Sequence, residues 1–329
     1  MEPLRDDPDQ LTLPLAWQRR PKFQDRVWVH VVLFILTAAT TTFYGSLHYE
    51  AFRGEFGAHA VLLSRGALLL RGLWYSVTVL AILGCHELGH YLACRYYQVD
   101  ASRPFFLPVP PPLVVLFGIP IPPPVMTGTL GAFIRIREPI PTKRMLFDIG
   151  IAGPLAGFVV AVPALFIGLW MSNVARVPPN VMGFELGEPL LFKLAIWLRF
   201  GHILDGYSVN LHPVAFAAWF GFLATALNLF PAGQLDGGHI SYAVLGRKSS
   251  YVTLIVVATS IVLTFSSASW FVWTLLMILM LFAFGPHHPR TFDEHVPLGR
   301  SRLVLALVAV AIFILCFTPA PIELVGRPS

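Results

Sequence analysis

The stretch His86-Glu87-Leu88-Gly89-His90 lies inside an apolar run, near residues 72–97, that is long enough to cross a membrane. An α-helix turns once per about 3.6 residues, so His86 and His90 share one face and their imidazoles can bind one metal ion. Neutral imidazole is a common zinc ligand, and the Glu87 carboxylate beside such a metal can take a proton from a water molecule. Ionisable groups at membrane depth are costly unless they are paired or metal-bound. The stretch therefore predicts a hydrolytic zinc site inside a membrane helix.

The composition of the chain is that of a polytopic membrane protein. Of its 329 residues, 56% are hydrophobic and only 12% are charged, whereas a soluble domain averages about 25% charged residues. The mean hydropathy is +0.68. Apolar runs that match a hydrocarbon core of about 30 Å predict an all-α polytopic fold with six or seven transmembrane helices, near 27–46, 72–97, 147–171, 213–231, 251–267, 270–285 and 303–319.

The basic residues predict the orientation of the chain. They cluster before the first span, after the second and after the fourth, which the positive-inside rule assigns to the cytoplasm together with the N-terminus. They form no patch interleaved with aromatic residues, so no nucleic-acid partner is expected. A charged N-terminus without a small-residue cleavage site indicates an uncleaved first span. These features fit a bacterial plasma membrane best, with an organelle membrane as the alternative.

One membrane-embedded domain accounts for most of the chain. Residues 1–26 are predicted to form a cytoplasmic tail and residues 27–329 a single domain, because no internal repeat and no soluble domain is evident. In the largest loop on the opposite side, the segment around Leu190–Phe200 has the pattern of an interfacial amphipathic helix. All three cysteines fall in predicted spans, so no disulfide is expected. Cys94, one turn beyond His90, is interpreted as a small buried hydrophobe rather than a ligand.

The segment after the second span differs in composition from the spans. It has proline runs between Pro104 and Pro124, followed by Gly128–Arg137. Proline lacks the main-chain donor that a helix needs, and the last residues alternate apolar and basic as in a strand. Two interpretations remain. The segment is either a re-entrant strand or hairpin lying against the opening of the active site, or a surface loop on the cytoplasmic side.

A catalytic zinc site usually takes three protein ligands, so the two histidines need a partner. The candidate is Asp236, which follows an interrupted hydrophobic run in which a broken helix would place a carboxylate at a polar cavity. An ordinary Asp-Gly turn at the end of a span is the alternative, and His239 is a rival ligand. The residues that interrupt the run are Pro231, Gly233, Gly237 and Gly238.

Two further features belong to the predicted site. The amide of Asn228, about two helical turns before Asp236, can hydrogen-bond a developing oxyanion or the substrate backbone. An amide that joins two helices is the alternative for Asn228. Gly153 and Gly157, at the start of the third span, form a small-xxx-small step that allows close approach of another helix.

These motifs together resemble the site-2 protease family of intramembrane zinc metalloproteases, in the branch without a PDZ domain. The similarity extends over about residues 60–285, and the predicted span 303–319 falls outside it. The resemblance implies one Zn²⁺ per chain held by His86, His90 and Asp236, with Glu87 as the general base. It also implies that the substrates are single transmembrane helices. The segment near 128–137 would bind such a substrate as an added strand.

The predicted function is therefore intramembrane cleavage of membrane-anchored proteins by a zinc metalloendopeptidase. Glu87 would activate the attacking water and later pass its proton to the leaving amine. A prenyl-protein processing protease is one rival, but it needs a further His or Glu in place of the Asp236-Gly237 element. A zinc carrier or non-catalytic membrane scaffold is the other, although a carrier would show polar residues along several spans.

Overall fold

The structure is a computed structural model that describes residues 22–56, 59, 61–109, 127–178, 183–266, 269–284 and 291–325. Within these residues the chain is mainly helical, as predicted. The helices are α1 (Val27–Gly54), α2 (Arg65–Tyr96), α3 (Lys143–Trp170), α4 (Leu190–Phe200), α5 (Pro213–Asn228), α6 (Asp236–Leu245), α7 (Ser249–Thr264), α8 (Ser269–Phe284) and α9 (Arg300–Cys316).

Three of these helices, α1, α2 and α3, are long and apolar enough to cross a membrane. The other apolar helices at predicted spans, α5, α7, α8 and α9, have 16 or 17 residues, slightly short of the roughly 20 that a perpendicular crossing needs. A membrane protein is therefore supported, whereas the predicted count of six or seven spans stays a prediction.

Helix α2 lies at the centre of the fold and packs against α1, α3 and α5. Glycines permit the close approach to α1: a Cβ on Gly45 would overlap the Gly72 carbonyl oxygen, and a Cβ on Gly72 would overlap the main chain of α1. The hydroxyls of Thr41 and Ser76 also share a hydrogen bond of 2.7 Å across this interface. Small and hydroxyl-bearing residues therefore join α1 to α2, as expected where lipid gives no hydrophobic drive for helix association.

The predicted hairpin after the second span is present. Strands β1 (Phe105–Pro108) and β2 (Thr129–Phe133) pair antiparallel, with Phe106 opposite Ala132. Phe106 is buried against α2, in a cluster with Tyr75 and Val79. The hairpin thus lies against α1 and α2 with Leu130 and Phe133 of β2 exposed, and its re-entrant position in a membrane stays a prediction. The proline runs from 110 to 124 lie outside the described residues.

Two further strand pairs correct the all-α prediction. Strand β3 (Asn173–Arg176) pairs with β5 (Tyr207–Asn210), and β4 (Gly183–Leu186) pairs with β6 (Ile322–Val325). These strands flank α4, which has the bounds expected for the amphipathic helix. Four-residue strands give too short an alternating pattern to stand out in a sequence, and β4–β6 joins segments that are distant in the chain.

Ion pairs join several segments of the chain near the C-terminal end of α2. Asp25 binds the Arg137 side chain and accepts a hydrogen bond from the main-chain N–H of Arg103 at 2.9 Å. Burial by itself would raise the pKa of Asp25, but these hydrogen bonds and the Arg137 charge hold it below its usual range. Arg302 of α9 makes two hydrogen bonds to Asp148 of α3, at 2.7 and 2.9 Å. The N-terminal segment and the last helix are thereby fixed to the core.

Candidate metal centre

The His86–His90 stretch lies within α2, a helix long and apolar enough to cross a membrane. His86, Glu87 and His90 are each 6% exposed. Glu87 precedes the end of α2 by nine residues, which is about 14 Å along the helix axis. A helix through this stretch places both imidazoles on the same face, as the spacing predicts.

Asp236 reaches the same place because the chain breaks between α5 and α6. Helix α5 ends at Asn228, and Asp236 is the first residue of α6. Gly233 within the break has φ +54°, a conformation that favours glycine. A Cβ on Gly237 would overlap the Leu229 carbonyl oxygen, so the tight turn has no room for a side chain there. The predicted break in the helix thus directs the Asp236 carboxylate into the interior.

Three donor atoms from these residues form a triangle. The distance between His86 Nε2 and His90 Nε2 is 3.2 Å, and Asp236 Oδ2 lies 3.3 Å from His86 Nε2 and 3.2 Å from His90 Nε2. Tetrahedral zinc at about 2.0 Å from each ligand requires donor atoms about 3.3 Å apart. The triangle, two imidazoles and one carboxylate therefore fit zinc, with one position remaining for a water molecule or substrate. In the described part of the chain, these three residues are the group that can hold a metal ion.

The main chain of α3 orients one of the rings. His90 Nδ1 lies 2.7 Å from the carbonyl oxygen of Ile149. Because a carbonyl only accepts, Nδ1 carries the proton and Nε2 keeps its lone pair for a metal. Ile149 has no signal in the sequence, since a main-chain carbonyl leaves no side-chain signature.

Glu87 lies beside the triangle rather than in it. Its Oε1 is 4.0 Å from His86 Nε2. The main-chain N–H of Ile134, directly after β2, also lies near the Glu87 carboxylate. A carboxylate at this place is close enough to act on a water molecule at the metal and too far from the triangle to be a fourth ligand. The same contact places the hairpin against the site.

Small residues bring α3 against the metal-binding face of α2. A Cβ on Gly153 would overlap the His90 ring, and one on Gly157 would lie 3.2 Å from His86 Cβ. On the α2 side, a Cβ on Gly89 would overlap the Ala152 carbonyl oxygen. The glycine step predicted for helix packing thus packs directly on the two histidines.

The variant Gly153→Ala is expected to weaken zinc binding by about 10- to 100-fold, because the added methyl group displaces the His90 ring from the triangle. Overpacking should also cost about 1–3 kcal/mol of stability. Metal competition titration and thermal unfolding of the purified protein measure the two effects. Gly66→Ala is the matched control, since a Cβ at this position in α2 meets nothing within 4 Å. Equal zinc affinity in both variants would contradict this account of Gly153.

The remaining candidate residues take different places. The Asn228 side-chain nitrogen lies 3.3 Å from His86 Nε2, at the edge of the triangle. The rival ligand His239 is outside the group that can hold a metal, and its Cβ faces Gly150 of α3. Cys94 is fully buried with Val99, Ala101 and Ile149, as expected for a small hydrophobe.

A chain with membrane-length apolar helices, in which two histidines and an aspartate form a triangle with a glutamate beside it, has the design of a membrane metalloprotease. Residues 74–267 match peptidase family M50, the site-2 protease family, and the chain belongs to this family. The match covers more than half of the chain and includes all the candidate site residues, but neither α1 nor α9. The family predicted from the motifs is thus confirmed, and the His86, His90 and Asp236 group fits the zinc ion that a metallopeptidase of this family implies.

Similar proteins of plants carry related names. The chain is 29% identical over 270 residues to the probable zinc metalloprotease EGY2, chloroplastic, of Arabidopsis thaliana, covering 79% of this chain and 45% of that protein. It is 31% identical over 180 residues to the probable zinc metalloprotease EGY1, chloroplastic, of Oryza sativa subsp. japonica, covering 53% of this chain and 28% of that protein. The chain thus spans less than half the length of these relatives.

Proposed function

We propose that this protein is an intramembrane zinc metalloendopeptidase that cleaves transmembrane helices of membrane-anchored proteins. The observation that carries the proposal is the triangle of His86, His90 and Asp236 with Glu87 beside it, buried next to a helix long and apolar enough to cross a membrane. A site for ion transfer does not need a carboxylate next to three ligands, whereas hydrolysis needs a base at that place. The geometry therefore favours the protease over the carrier or scaffold.

Each residue has a part in the proposed reaction. His86, His90 and Asp236 would hold one Zn²⁺, which would supply a Lewis acid that polarises a carbonyl group and acidifies a water molecule. Glu87 takes a proton from the attacking water and passes it to the leaving amine. The N–H of Ile134 keeps the Glu87 carboxylate in place beside the triangle. The amide of Asn228 donates to the oxyanion that develops on the substrate carbonyl.

The hairpin is the proposed substrate platform. Strand β2 pairs with β1 on one edge, and the two strands form a sheet of their own in the described residues. Its other edge can pair with an extended segment of substrate, and residue 134 at its end touches Glu87. A helical substrate must unwind locally, because its carbonyl groups are hydrogen-bonded and covered. Helix-breaking residues near the cut should therefore speed cleavage.

Cleavage of a defined reporter tests this proposal. The full chain and a single-span reporter protein are placed in liposomes, and the products are identified by mass spectrometry. The expected cut lies within the reporter span, and a Gly-Pro pair near it should raise the rate relative to a polyleucine span. Cuts confined to the reporter's extramembrane part would overturn intramembrane cleavage.

Sealed inside-out vesicles with a tagged N-terminus test the predicted cytoplasmic N-terminus and bacterial plasma membrane topology.

The variant Asn228→Ala is expected to lower kcat by about 100- to 1,000-fold, with zinc content unchanged, because one oxyanion donor is lost. Steady-state kinetics on the reporter and metal analysis measure both quantities. If Asn228 only joins two helices, the melting temperature falls while kcat per folded molecule stays the same. Thr225→Val on the same helix is the control, since the Thr225 hydroxyl donates to the Gly221 carbonyl of its own helix.

A further inference from the structure

An apolar groove of about 550 Å³ lies between α6, α7 and α9. Its floor contains Leu229, Pro231 and Gly237, which belong to the chain break that carries Asp236. Leu307 and Val310 of α9 line the groove and are 70% and 53% exposed, so the groove is open to its surroundings. Its volume is within the range of ligand sites, about 300–1,000 Å³.

The chemistry of the lining selects hydrocarbon as the occupant. Ser241 is the one lining residue with a polar side chain, and its hydroxyl already donates to the Gly238 carbonyl oxygen at 3.0 Å. A peptide main chain in extended form would bring polar groups that need partners at membrane depth. The lining offers no side chain to satisfy them, whereas an acyl chain needs none.

The groove is short and closed at one end. The lining residues of α9 run from Leu303 to Phe313, which is about 15 Å along the axis. The inner end is closed, because Phe313 packs edge-on against Phe230 with ring centroids 5.2 Å apart. A single flexible chain that enters from the outer end fits this shape.

Positive charge lies at the outer end of the groove. Arg300 precedes the lining residue Leu303 by one turn of α9, and Lys248 follows the lining residue Leu245 by three residues. Both side chains are exposed, and neither forms an ion pair within the described residues. The neighbouring cation Arg247 is paired with Glu294 at 3.4 Å. Two unneutralised cations beside a hydrocarbon groove match an anionic lipid headgroup.

We propose that the groove binds one acyl chain of an anionic phospholipid whose phosphate group lies against Arg300 and Lys248. The lipid fills the space next to the turn of Pro231 and Gly237 and so stabilises the segment that positions Asp236. Helix α9, which lines one side of the groove, lies outside residues 74–267, the part of the chain that matches the family.

Competition between two lipids tests the site on the full chain. The protein is placed in nanodiscs with equal amounts of phosphatidylglycerol and phosphatidylcholine, transferred to mild detergent and examined by native mass spectrometry. One phosphatidylglycerol per chain is expected to remain, enriched at least about tenfold over phosphatidylcholine. Ala306→Trp fills the groove and should remove the bound lipid. Val304→Trp, on the same helix but outside the lining, should keep it.

Charge reversal and cross-linking separate this site from other occupants. The double variant Arg300→Glu, Lys248→Glu should remove the preference for phosphatidylglycerol, whereas Arg26→Glu, an exposed cation before α1, should not. A photoreactive benzophenone side chain in place of Leu307 should cross-link to lipid. Cross-links to a second chain or to a single-span reporter would overturn the proposal. So would a preference that persists in Ala306→Trp, or displacement of the bound lipid by inorganic phosphate alone.

Discussion

Replacing Glu87 with glutamine is expected to lower the rate of proteolysis by about 100- to 10,000-fold while one zinc per chain stays bound. Glutamine has the shape of glutamate but cannot take a proton from water. Its side chain lies outside the donor triangle, 4.0 Å from His86 Nε2, so no ligand is lost. Cleavage of the single-span reporter in liposomes and elemental analysis of the purified variant measure the two quantities.

The control for this variant is Glu50→Gln, which makes the same chemical change at an exposed position of α1. It should leave both the cleavage rate and the zinc content as in the wild type. If Glu87→Gln keeps substantial turnover, Glu87 is not the base. If it loses zinc as well as activity, Glu87 belongs to the metal ligands and the proposed division of roles is wrong.

The residues of the candidate metal centre could be predicted to meet because they are rare residue types at fixed spacings. His86 and His90 are one helical turn apart, which alone places them together. Asp236 is 146 residues beyond His90, and it was identified because a metal site with two histidines lacks a ligand and because prolines and glycines interrupt an apolar run. The structure brings all three donor atoms within 4.8 Å of one another.

Other contributions to the site had no sequence signal. The carbonyl of Ile149 and the N–H of Ile134 act through the main chain, and any residue at those positions provides the same group. For Gly153 the sequence predicted close helix packing, because the residue is small. It did not predict that the neighbour is the His90 ring. The short strands β3 to β6 and the lengths of the later helices depend on contacts between distant segments, which local patterns do not encode.

Replacing Asp236 with alanine is expected to lower zinc affinity by more than about 100-fold, and His86→Ala should do the same. Each change leaves two ligands, whereas hydrolytic zinc sites in proteins use three. The loss of Asp236 also removes the negative charge that faces both imidazoles, at 3.2 and 3.3 Å. Metal competition titration on the detergent-purified chain measures the affinity, and elemental analysis gives the zinc content per chain.

Two matched variants make this result specific. Asp205→Ala removes an exposed carboxylate from a loop and should keep full zinc affinity. This control would show that an aspartate-to-alanine substitution does not by itself lower zinc affinity. His239→Ala removes the rival ligand three residues after Asp236 and should also keep it, because His239 lies outside the donor triangle. If zinc is retained in Asp236→Ala but lost in His239→Ala, the third ligand is the histidine. If the wild-type chain binds no zinc at all, the triangle is a hydrogen-bonded joint between α2 and α6, and the scaffold interpretation replaces the protease.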